Sequence, residues 1–546
     1  MIVVRGYGDW PPESDAEYRR FTRWIREDHV GGFIIAGRIT NGNVIPAQPF
    51  EMAAFINHMQ RAAKTPLLVA SDFERGASMR VAETARFPYV MAFGAARDRQ
   101  AVRELGSATA VEARALGVNW VFAPDADVNN NPDNPIINTR SFGEDPEAVA
   151  ADVLTFIEGA HSDPANYVLV AAKHFPGHGD TAEDSHLQLA TLNQPKERIE
   201  NLELVPFRAA VKANADSIMT AHLSVPAFEP RPLPATVSAN VLTGLLRNEL
   251  GFKGLIVTDA LEMNGIASLY SQGEAGVRAV EAGADVLLMP TDPEACIRAV
   301  SNAVASGRIS RARIDTSVSR ILAAKARVGL FRKRTVDLDQ LSDTLENPKL
   351  SALAQKVADR AITLVRDDGH LFPATNLNAA CLVVAAENQF SQRGELLSAE
   401  LKKTAAALKV YVVDPTMSDK VLGAIADDAA HCSQIYVAAF VTVAAYRGSV
   451  ALEGGLTPFL NTLVHGSVPV GVISFGNPYL LRYLPDAKTY AATFSTAASS
   501  EIALAKAMEG RIAITGKMPV SIPGLVKIGD GIDVPEVVRT ASKGSE

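Results

Sequence analysis

Short apolar runs recur through the first 330 residues, and longer stretches of helical character separate them. The runs are rich in β-branched residues and end in Gly, Pro or polar residues, a pattern typical of parallel strands that alternate with helices. Eight runs are predicted as strands: Ile2 to Arg5, Gly32 to Ala36, Pro66 to Ser71, Asn119 to Ala123, Val168 to Lys173, Ser217 to Ala221, Gly254 to Thr258 and Ala284 to Met289. Eight βα units predict an α/β fold, a (β/α)8 barrel of the TIM type, over residues 1–330.

The helices between these runs carry boundary signals of their own. Asp145, Pro146 and Glu147 open an Ala-rich stretch that continues to Ala160, with acidic residues and a proline where a first helical turn favours them. A barrel of this type keeps its active site at the carboxyl ends of its strands. The polar residues that follow the eight strands are therefore expected to converge on one face.

A second, smaller α/β layer domain is predicted over residues 348–546, after a charged and weakly periodic linker at residues 331–347. Its strands are predicted at Cys381 to Ala386, Val410 to Val413, Ile435 to Val441, Val468 to Phe475 and Tyr490 to Phe494. The segment GKMPVSIPG is predicted as a closing loop, and the tail after Arg539 as disordered.

Composition and charge narrow the function classes. The 546 residues are 47% hydrophobic and 21% charged, and so long a chain is expected to form two or three domains. A formal charge of −8 gives no support to a nucleic-acid or anionic-membrane partner. No apolar run approaches the roughly 18 residues that span a bilayer. A small neutral or mildly charged substrate is favoured.

Compartment and oligomeric state stay open at this level. The first residues, MIVVRGYGDW, lack the basic and long apolar regions of a secretory signal, but a removed signal would leave the same pattern. The protein is therefore expected to be soluble, either exported or cytoplasmic. Cys296, Cys381 and Cys432 are widely spaced in apolar or helical settings, and we interpret them as buried packing residues rather than a disulfide framework or metal site.

The densest concentration of chemistry is the stretch KHFPGHGDTAEDSH, from Lys173 to His186. It combines three histidines and three acidic residues with two glycines and a proline. A histidine titrates near pH ~6.5, and an Asp two residues earlier can orient and charge it. The stretch is interpreted as the acid/base loop of a sugar-cleaving enzyme.

Four motifs together resemble glycoside hydrolase family 3, and specifically its β-N-acetylglucosaminidase branch. They are KHFPGHGDTAEDSH, SIMTAHLSVPA, PATVSANVLTGLLRNELGFKGLIVTDALEM and GADVLLMP, in the family's order. The second domain resembles the family's αβα sandwich more loosely, through ALAQKVADRAITLVRDDGHLFP and GKMPVSIP. The resemblance implies a retaining exo-enzyme that releases terminal β-linked N-acetylglucosamine and needs no cofactor or metal. It implies peptidoglycan-derived fragments as substrates, with chitooligosaccharides as the runner-up.

The resemblance also implies the catalytic roles. Asp259 of TDALEM would be the nucleophile that forms a covalent glycosyl-enzyme, and His186 with Asp184 would be the acid/base pair. Taken alone, Asp259 could instead cap the following helix, since Asp is a favoured N-cap. Asp184 and His186 could instead be a solvated turn.

Substrate-binding positions carry over in the same way. Two of these positions also allow a structural role when the residues are taken alone: Arg140 could pair with Glu144 or Asp145, and His222 could satisfy core backbone. His178 and Asp180 could have either a structural or a binding role. In SDFERGASMR, Arg75 stands where the family has a glycine, and Ala77 and Ser78 replace Arg-Val, which puts the leaving-group side in doubt. The positions assigned to sugar binding are Asp72, Arg80, Asp125, Arg140, Lys173, His174 and His222.

Other functions remain as alternatives. A metal-dependent barrel hydrolase could use ligands from the set His174, His178, Asp180, Asp184 and His186. A binding protein on the same fold is a second possibility. Within the enzyme class, a phosphorylase or a β-glucosidase is the closest alternative.

Overall fold

The computed structural model describes residues 1–40, 43–442 and 450–537. Two large sheets organise these residues, one of eight strands and one of six. The eight-stranded sheet is formed by the first part of the chain and the six-stranded sheet by the second. The predicted succession of a barrel and a smaller α/β unit is confirmed.

The eight predicted barrel strands are all present and all parallel. They are β1 (Ile2–Gly6), β2 (Gly32–Ile35), β3 (Leu68–Ser71), β4 (Trp120–Val121), β5 (Leu169–Phe175), β6 (Ser217–Thr220), β7 (Leu255–Val257) and β8 (Leu287–Leu288). Neighbours follow chain order from β1 to β7, and β8 pairs with β1. A bridge between Val257 and Val286 joins the two remaining edges, so the barrel nearly closes.

Helices lie between consecutive barrel strands, as the βα pattern predicts. The helix after Asp145 begins at Pro146 and ends at Ala160, and the Asp145 side chain accepts from the N–H groups of Glu147 and Ala148. The segment between β6 and β7 contains a π-helix, Asn240–Glu249. Among the described residues up to 330, the other helices of eight residues or more are Ala16–Arg26, Pro49–Ala62, Arg99–Leu116, Leu204–Lys212, Gln272–Ala282, Pro293–Ala305 and Arg311–Arg327.

The second sheet is mixed. Its strands are β9 (Thr363–Asp367), β10 (Ala380–Ala385), β11 (Lys409–Val413), β12 (Gln434–Val441), β13 (Val470–Gly476) and β14 (Thr489–Ala492), in the order β9-β14-β13-β12-β10-β11. Only β9, which the sequence pattern did not predict, pairs antiparallel, with β14. The described helices that accompany this second sheet are Pro348–Ala361, Glu395–Lys402, Asp419–Ala429, Leu456–Val464 and Ala498–Met508.

Both faces of this second sheet are covered. Along β10, Cys381, Val383 and Ala385 belong to one buried cluster, whereas Leu382 and Val384 belong to another. Successive side chains of a strand point to opposite faces, so apolar residues at every position indicate packing on both sides. This sheet is the central layer of an αβα sandwich.

The segment between the two sheets packs against the barrel. Val336 exchanges hydrogen bonds with the Asn57 side chain, at 2.8 and 2.9 Å, and a short helix, Leu341–Leu345, follows. The limits 1–330, 331–347 and 348–546 stay predictions. The tail after Arg539 lies outside the described residues, and no described helix is long and apolar enough to cross a membrane.

The interpretation of the cysteines was wrong for two of the three. Cys381 on β10 and Cys432 in the turn before β12 form a disulfide, with a Cα–Cα distance of 5.9 Å. The two strands are neighbours in the sheet, but 51 residues separate the cysteines in sequence, so their spacing did not reveal the contact. Cys296 is a buried free thiol, as predicted.

Candidate active site

The candidate nucleophile lies at the mouth of the barrel, just beyond the end of β7. The apolar residues of β7 are fully buried, which fixes the backbone that carries Asp259. One Asp259 oxygen, Oδ1, accepts from the Ala260 N–H at 2.8 Å. The next helix, Asn264–Ala267, has Met263 at its N-cap, so Asp259 is not a helix cap.

The loop that carries His186 packs directly on the loop that follows Asp259. The Gly265 N–H donates to the Ser185 carbonyl at 3.1 Å, and the Asn264 N–H donates to the His186 carbonyl at 3.3 Å. A Cβ atom on Gly265 would come within 2.8 Å of the Ser185 oxygen, so glycine permits this close approach. The two candidate catalytic groups are therefore brought together by backbone contacts.

Asp184 and His186 form a directed pair. Asp184 Oδ1 lies 2.7 Å from His186 Nδ1 and accepts from the His186 N–H at 2.8 Å. The Asp184 side chain is fully buried, whereas 22% of the His186 side chain is exposed. The buried carboxylate thus orients the ring through its Nδ1 side and leaves the opposite edge accessible. In a solvated turn the carboxylate would instead be exposed.

Three imidazoles lie near enough to Asp259 to influence its charge. Burial alone would raise the pKa of Asp259, but the imidazoles of His174, His222 and His186 and the Ala260 N–H outweigh it and lower that pKa. A lowered pKa keeps the carboxylate ionised, the form that can attack carbon.

A network of ion pairs forms the adjacent wall of the site. Lys173 Nζ lies 3.0 Å from Asp72 Oδ1 and 2.8 Å from Glu74 Oε1, and Arg80 Nη2 lies 3.1 Å from Asp72 Oδ2. Burial would raise the pKa of Asp72, but Lys173 and Arg80 outweigh it and lower the pKa to about 2. The Asp72 and Arg80 side chains remain 20% exposed, so both are partly accessible from outside the protein.

Arg140 lies beside this network and does not pair with Glu144 or Asp145. Its Nε and Nη2 atoms donate to the two Glu74 oxygens at 2.9 and 2.7 Å, and its Nη1 donates to the Ile136 carbonyl at 2.9 Å. Asp125, whose side chain is fully buried, lies 3.3 Å from Arg140 Nε. The guanidinium is thus held on several sides, with 17% of the side chain exposed.

His174 is held by a second buried carboxylate. Asp127 Oδ2 lies 2.8 Å from His174 Nδ1, and Asp127 also accepts from the N–H groups of His174 and His178. Burial would lower the pKa of His174, but Asp127 outweighs it and raises that pKa. His174 Nε2 lies 3.4 Å from Arg140 Nη2, so the two side chains meet beside the ion-pair network.

His178 and His222 are buried with both ring nitrogens engaged. His178 contacts Thr181 Oγ1 and Ser185 Oγ, at 2.8 and 2.9 Å, which braces the loop on which His186 lies. His222 contacts Thr236 Oγ1 at 2.8 Å and the Ala260 carbonyl at 2.9 Å, directly behind Asp259. Both positions support the site from within the protein.

Sequence reasoning missed the parts played by several carboxylates. Glu74 receives both Arg140 and Lys173, and Asp127 fixes two histidines. Asp127 follows Asp125 by two positions just beyond β4, and this alternation was the available signal. Also at the mouth, Arg5 at the end of β1 forms an ion pair with Glu262, three residues after Asp259.

The described part of the chain offers no set of ligands for the metal-dependent alternative. There, no three His, Cys, Asp or Glu side chains are arranged so that they could hold a metal ion. Asp180, one of the candidate ligands, instead receives hydrogen bonds from Asn130 and Gln194. The arrangement is that of a barrel enzyme with an ionised carboxylate and an oriented histidine at its mouth.

Comparison with known proteins identifies the family. The model of the glycosyl hydrolase family 3 N-terminal domain matches residues 10–324. A β-N-acetylglucosaminidase/β-glucosidase from Cellulomonas fimi is 31% identical over 528 residues, which is 93% of this chain and 91% of that protein. The chain belongs to glycoside hydrolase family 3 and is a glycoside hydrolase.

Solved structures agree. A family 3 β-N-acetylglucosaminidase from Paenibacillus sp. FPU-7 superposes with a TM-score of 0.83 at 34% identity, covering 96% of this chain and 98% of that one. A β-glucoside phosphorylase also superposes with a TM-score of 0.83, at 25% identity, covering 95% of this chain and 92% of that one. The resemblance to family 3 drawn from the motifs is thereby confirmed.

Proposed function

We propose that this protein is a retaining exo-β-N-acetylglucosaminidase. The observation that carries the proposal is the pairing of an ionised Asp259 with a directed Asp184–His186 pair across one barrel mouth. The similarity to proteins named β-N-acetylglucosaminidase and β-hexosaminidase supports the sugar specificity.

In the first step, Asp259 attacks the anomeric carbon while the outer edge of the His186 ring protonates the leaving oxygen. This gives a covalent glycosyl-enzyme and a free alcohol. In the second step, His186 removes a proton from water, and the resulting nucleophile displaces Asp259 from the sugar. Asp184 holds the Nδ1 side of the ring throughout and stabilises the imidazolium that forms when His186 takes the proton in the second step.

The sugar is bound by the ion-pair wall. Asp72 and Arg80 contact ring hydroxyls, and Arg140 and His174 contact the acetamido side of the ring. Lys173 and Asp125, whose side chains are at most 2% exposed, hold Asp72 and Arg140 from behind. His222 is equally buried and supports the Ala260 carbonyl behind Asp259. The substrates are peptidoglycan-derived fragments with terminal N-acetylglucosamine, or chitooligosaccharides.

The decisive experiment compares hydrolysis of an aryl β-N-acetylglucosaminide with that of the matching aryl β-glucoside. A strong preference for the first supports the proposal, and a preference for the second makes the protein a β-glucosidase. Running both assays in phosphate and in phosphate-free buffer, with product identification, detects a sugar 1-phosphate. Phosphate-dependent turnover that gives this product would replace hydrolysis by phosphorolysis.

Two variants test the residue roles. Asp259→Ala should abolish turnover while circular dichroism and the melting temperature remain near wild type. His186→Ala should slow substrates with poor leaving groups far more than activated aryl glycosides, since only the former need protonation. Equal losses on both substrate types would remove the acid role from His186.

A further inference from the structure

The second domain contacts the barrel at the segment that presents Arg140. This segment forms a short 3-10 helix, Asn138–Arg140, after β4. Asn138 adopts a left-handed conformation with φ of 43°, which is unusual for a residue other than glycine and needs support from its surroundings. The placement of Arg140 therefore depends on what holds Asn138.

That support comes from the loop after β13 of the second domain. The Asn138 side-chain amide donates to Asn477 Oδ1 at 3.2 Å. Asn477 Oδ1 also accepts from the Tyr479 N–H at 3.0 Å, so the two second-domain residues are fixed relative to each other. All three side chains are at most 2% exposed.

Tyr479 reaches the same segment by a second route. Its hydroxyl lies 2.9 Å from the Asn129 side-chain nitrogen, and Asn129 Oδ1 accepts from the Asn138 N–H at 2.8 Å. Asn138 is thus held at its side chain by Asn477 and at its backbone N–H by Asn129, which is in turn bonded to Tyr479. Two residues further on, Arg140 meets Glu74 and His174 in the sugar-binding wall.

A third contact fixes the far end of this segment. Ser521 donates to Glu144 Oε2 from its N–H at 2.7 Å and from its hydroxyl at 2.9 Å. The Glu144 N–H donates to the Pro519 carbonyl at 3.0 Å. The second domain therefore holds residues 138–144 at both ends.

We infer that Asn477 and Tyr479 are positioning residues of the second domain that set the placement of Arg140 for sugar binding. The inference rests on the proposed function, because it takes Arg140 to contact the sugar. Neither residue touches substrate in this account. They act through Asn129 and Asn138, and the second domain is thereby a working part of the barrel's binding site.

The test compares two tyrosine variants that lose the same atom. Tyr479→Phe removes the hydroxyl bound to Asn129, whereas Tyr436→Phe removes an equally buried hydroxyl that donates to the Leu371 carbonyl at 2.9 Å within the second domain. Both should lower the melting temperature by similar amounts. Tyr479→Phe should raise KM for the aryl glycoside by about fivefold, and Tyr436→Phe should not. This rise corresponds to about 1 kcal/mol, at about 1.4 kcal/mol per tenfold change. Asn477→Ala should raise KM in the same way. kcat should change less.

A double-mutant cycle tests the route through Arg140. In an Arg140→Lys background, Tyr479→Phe should change kcat/KM by less than it does in wild type, because lysine lacks the guanidinium fork that the segment aims. Additive effects would overturn the inference, as would an unchanged KM in Tyr479→Phe or an equal rise in Tyr436→Phe.

Failure of the proposed function would be visible separately. The wild-type preference between the two aryl glycosides tests the sugar specificity without any variant. The variant-to-wild-type ratios are measured on whichever glycoside the wild type cleaves, so they test the positioning role under either outcome.

Discussion

Glu112 provides a pH-dependent test of how the Arg80 loop is held. This fully buried residue lies on the helix Arg99–Leu116, and its two oxygens accept from the N–H groups of Ala77 and Ala85, each at 3.2 Å. The two donors, Ala77 and Ala85, bracket the loop from which Arg80 reaches Asp72. Burial raises the pKa of Glu112 to about 7, although these backbone N–H groups oppose the rise.

The raised pKa fixes the sign of the stability change. The usual pKa of Glu is 4.5, so between pH 4.5 and about 7 the folded protein holds a proton at Glu112 that the unfolded chain has lost. The contribution of Glu112 to stability is fully present below pH 4.5 and is lost as pH rises through about 7. A difference of about 2.5 pH units at about 1.36 kcal/mol per unit predicts a loss of about 3 kcal/mol.

Urea unfolding of wild type and Glu112→Gln between pH 4.5 and 8 measures this loss. Gln cannot titrate, so the variant lacks this pH dependence, although one backbone N–H loses its acceptor at every pH. The free energy of unfolding of wild type, taken relative to that of the variant, should fall by about 3 kcal/mol as pH rises. Glu104→Gln makes the same change on the accessible side of the same helix and should not reproduce the trend. Parallel curves for wild type and Glu112→Gln would refute the reasoning.

Two further variants probe the supports of the histidines. Asp127→Asn should raise KM and lower the free energy of unfolding by about 2 to 3 kcal/mol, because a charged acceptor of three hydrogen bonds is lost; kinetics and urea unfolding check this, and a wild-type KM would contradict it. Gly179→Ala should strongly reduce folded yield or activity, because its Cβ would lie 1.8 Å from the Val128 carbonyl oxygen. Activity and melting temperature near wild type would show that the loop shifts to make room.

The barrel was predictable because its strands are short apolar runs bounded by turn residues. The antiparallel strand β9 was not predicted, because its short apolar run is followed directly by the charged residues Arg366 and Asp367, which also belong to the strand. The strand-end rule for barrels also predicted that the candidate residues share one end of the barrel, since Asp72, Asp125 and Asp259 all follow barrel strands.

The supports of the site were not predictable, because they join residues far apart in sequence. Asn138 and Asn477 are 339 residues apart, and Asn129 and Tyr479 are 350 apart. An asparagine in a loop gives no sign of its partner, because its amide serves turns, caps and long-range contacts equally well. The cysteine pair was missed for the same reason.

Asp259 differs from Asp72 and Glu74 in what balances its charge. Asp72 and Glu74 are tied to Lys173, Arg80 or Arg140 by close ion pairs. Across the described residues, no Lys or Arg forms such a pair with Asp259, and the groups that lower its pKa against burial are imidazoles and one backbone N–H. The site thus favours the ionised form of Asp259 without a Lys or Arg partner, which is consistent with the proposed role as nucleophile.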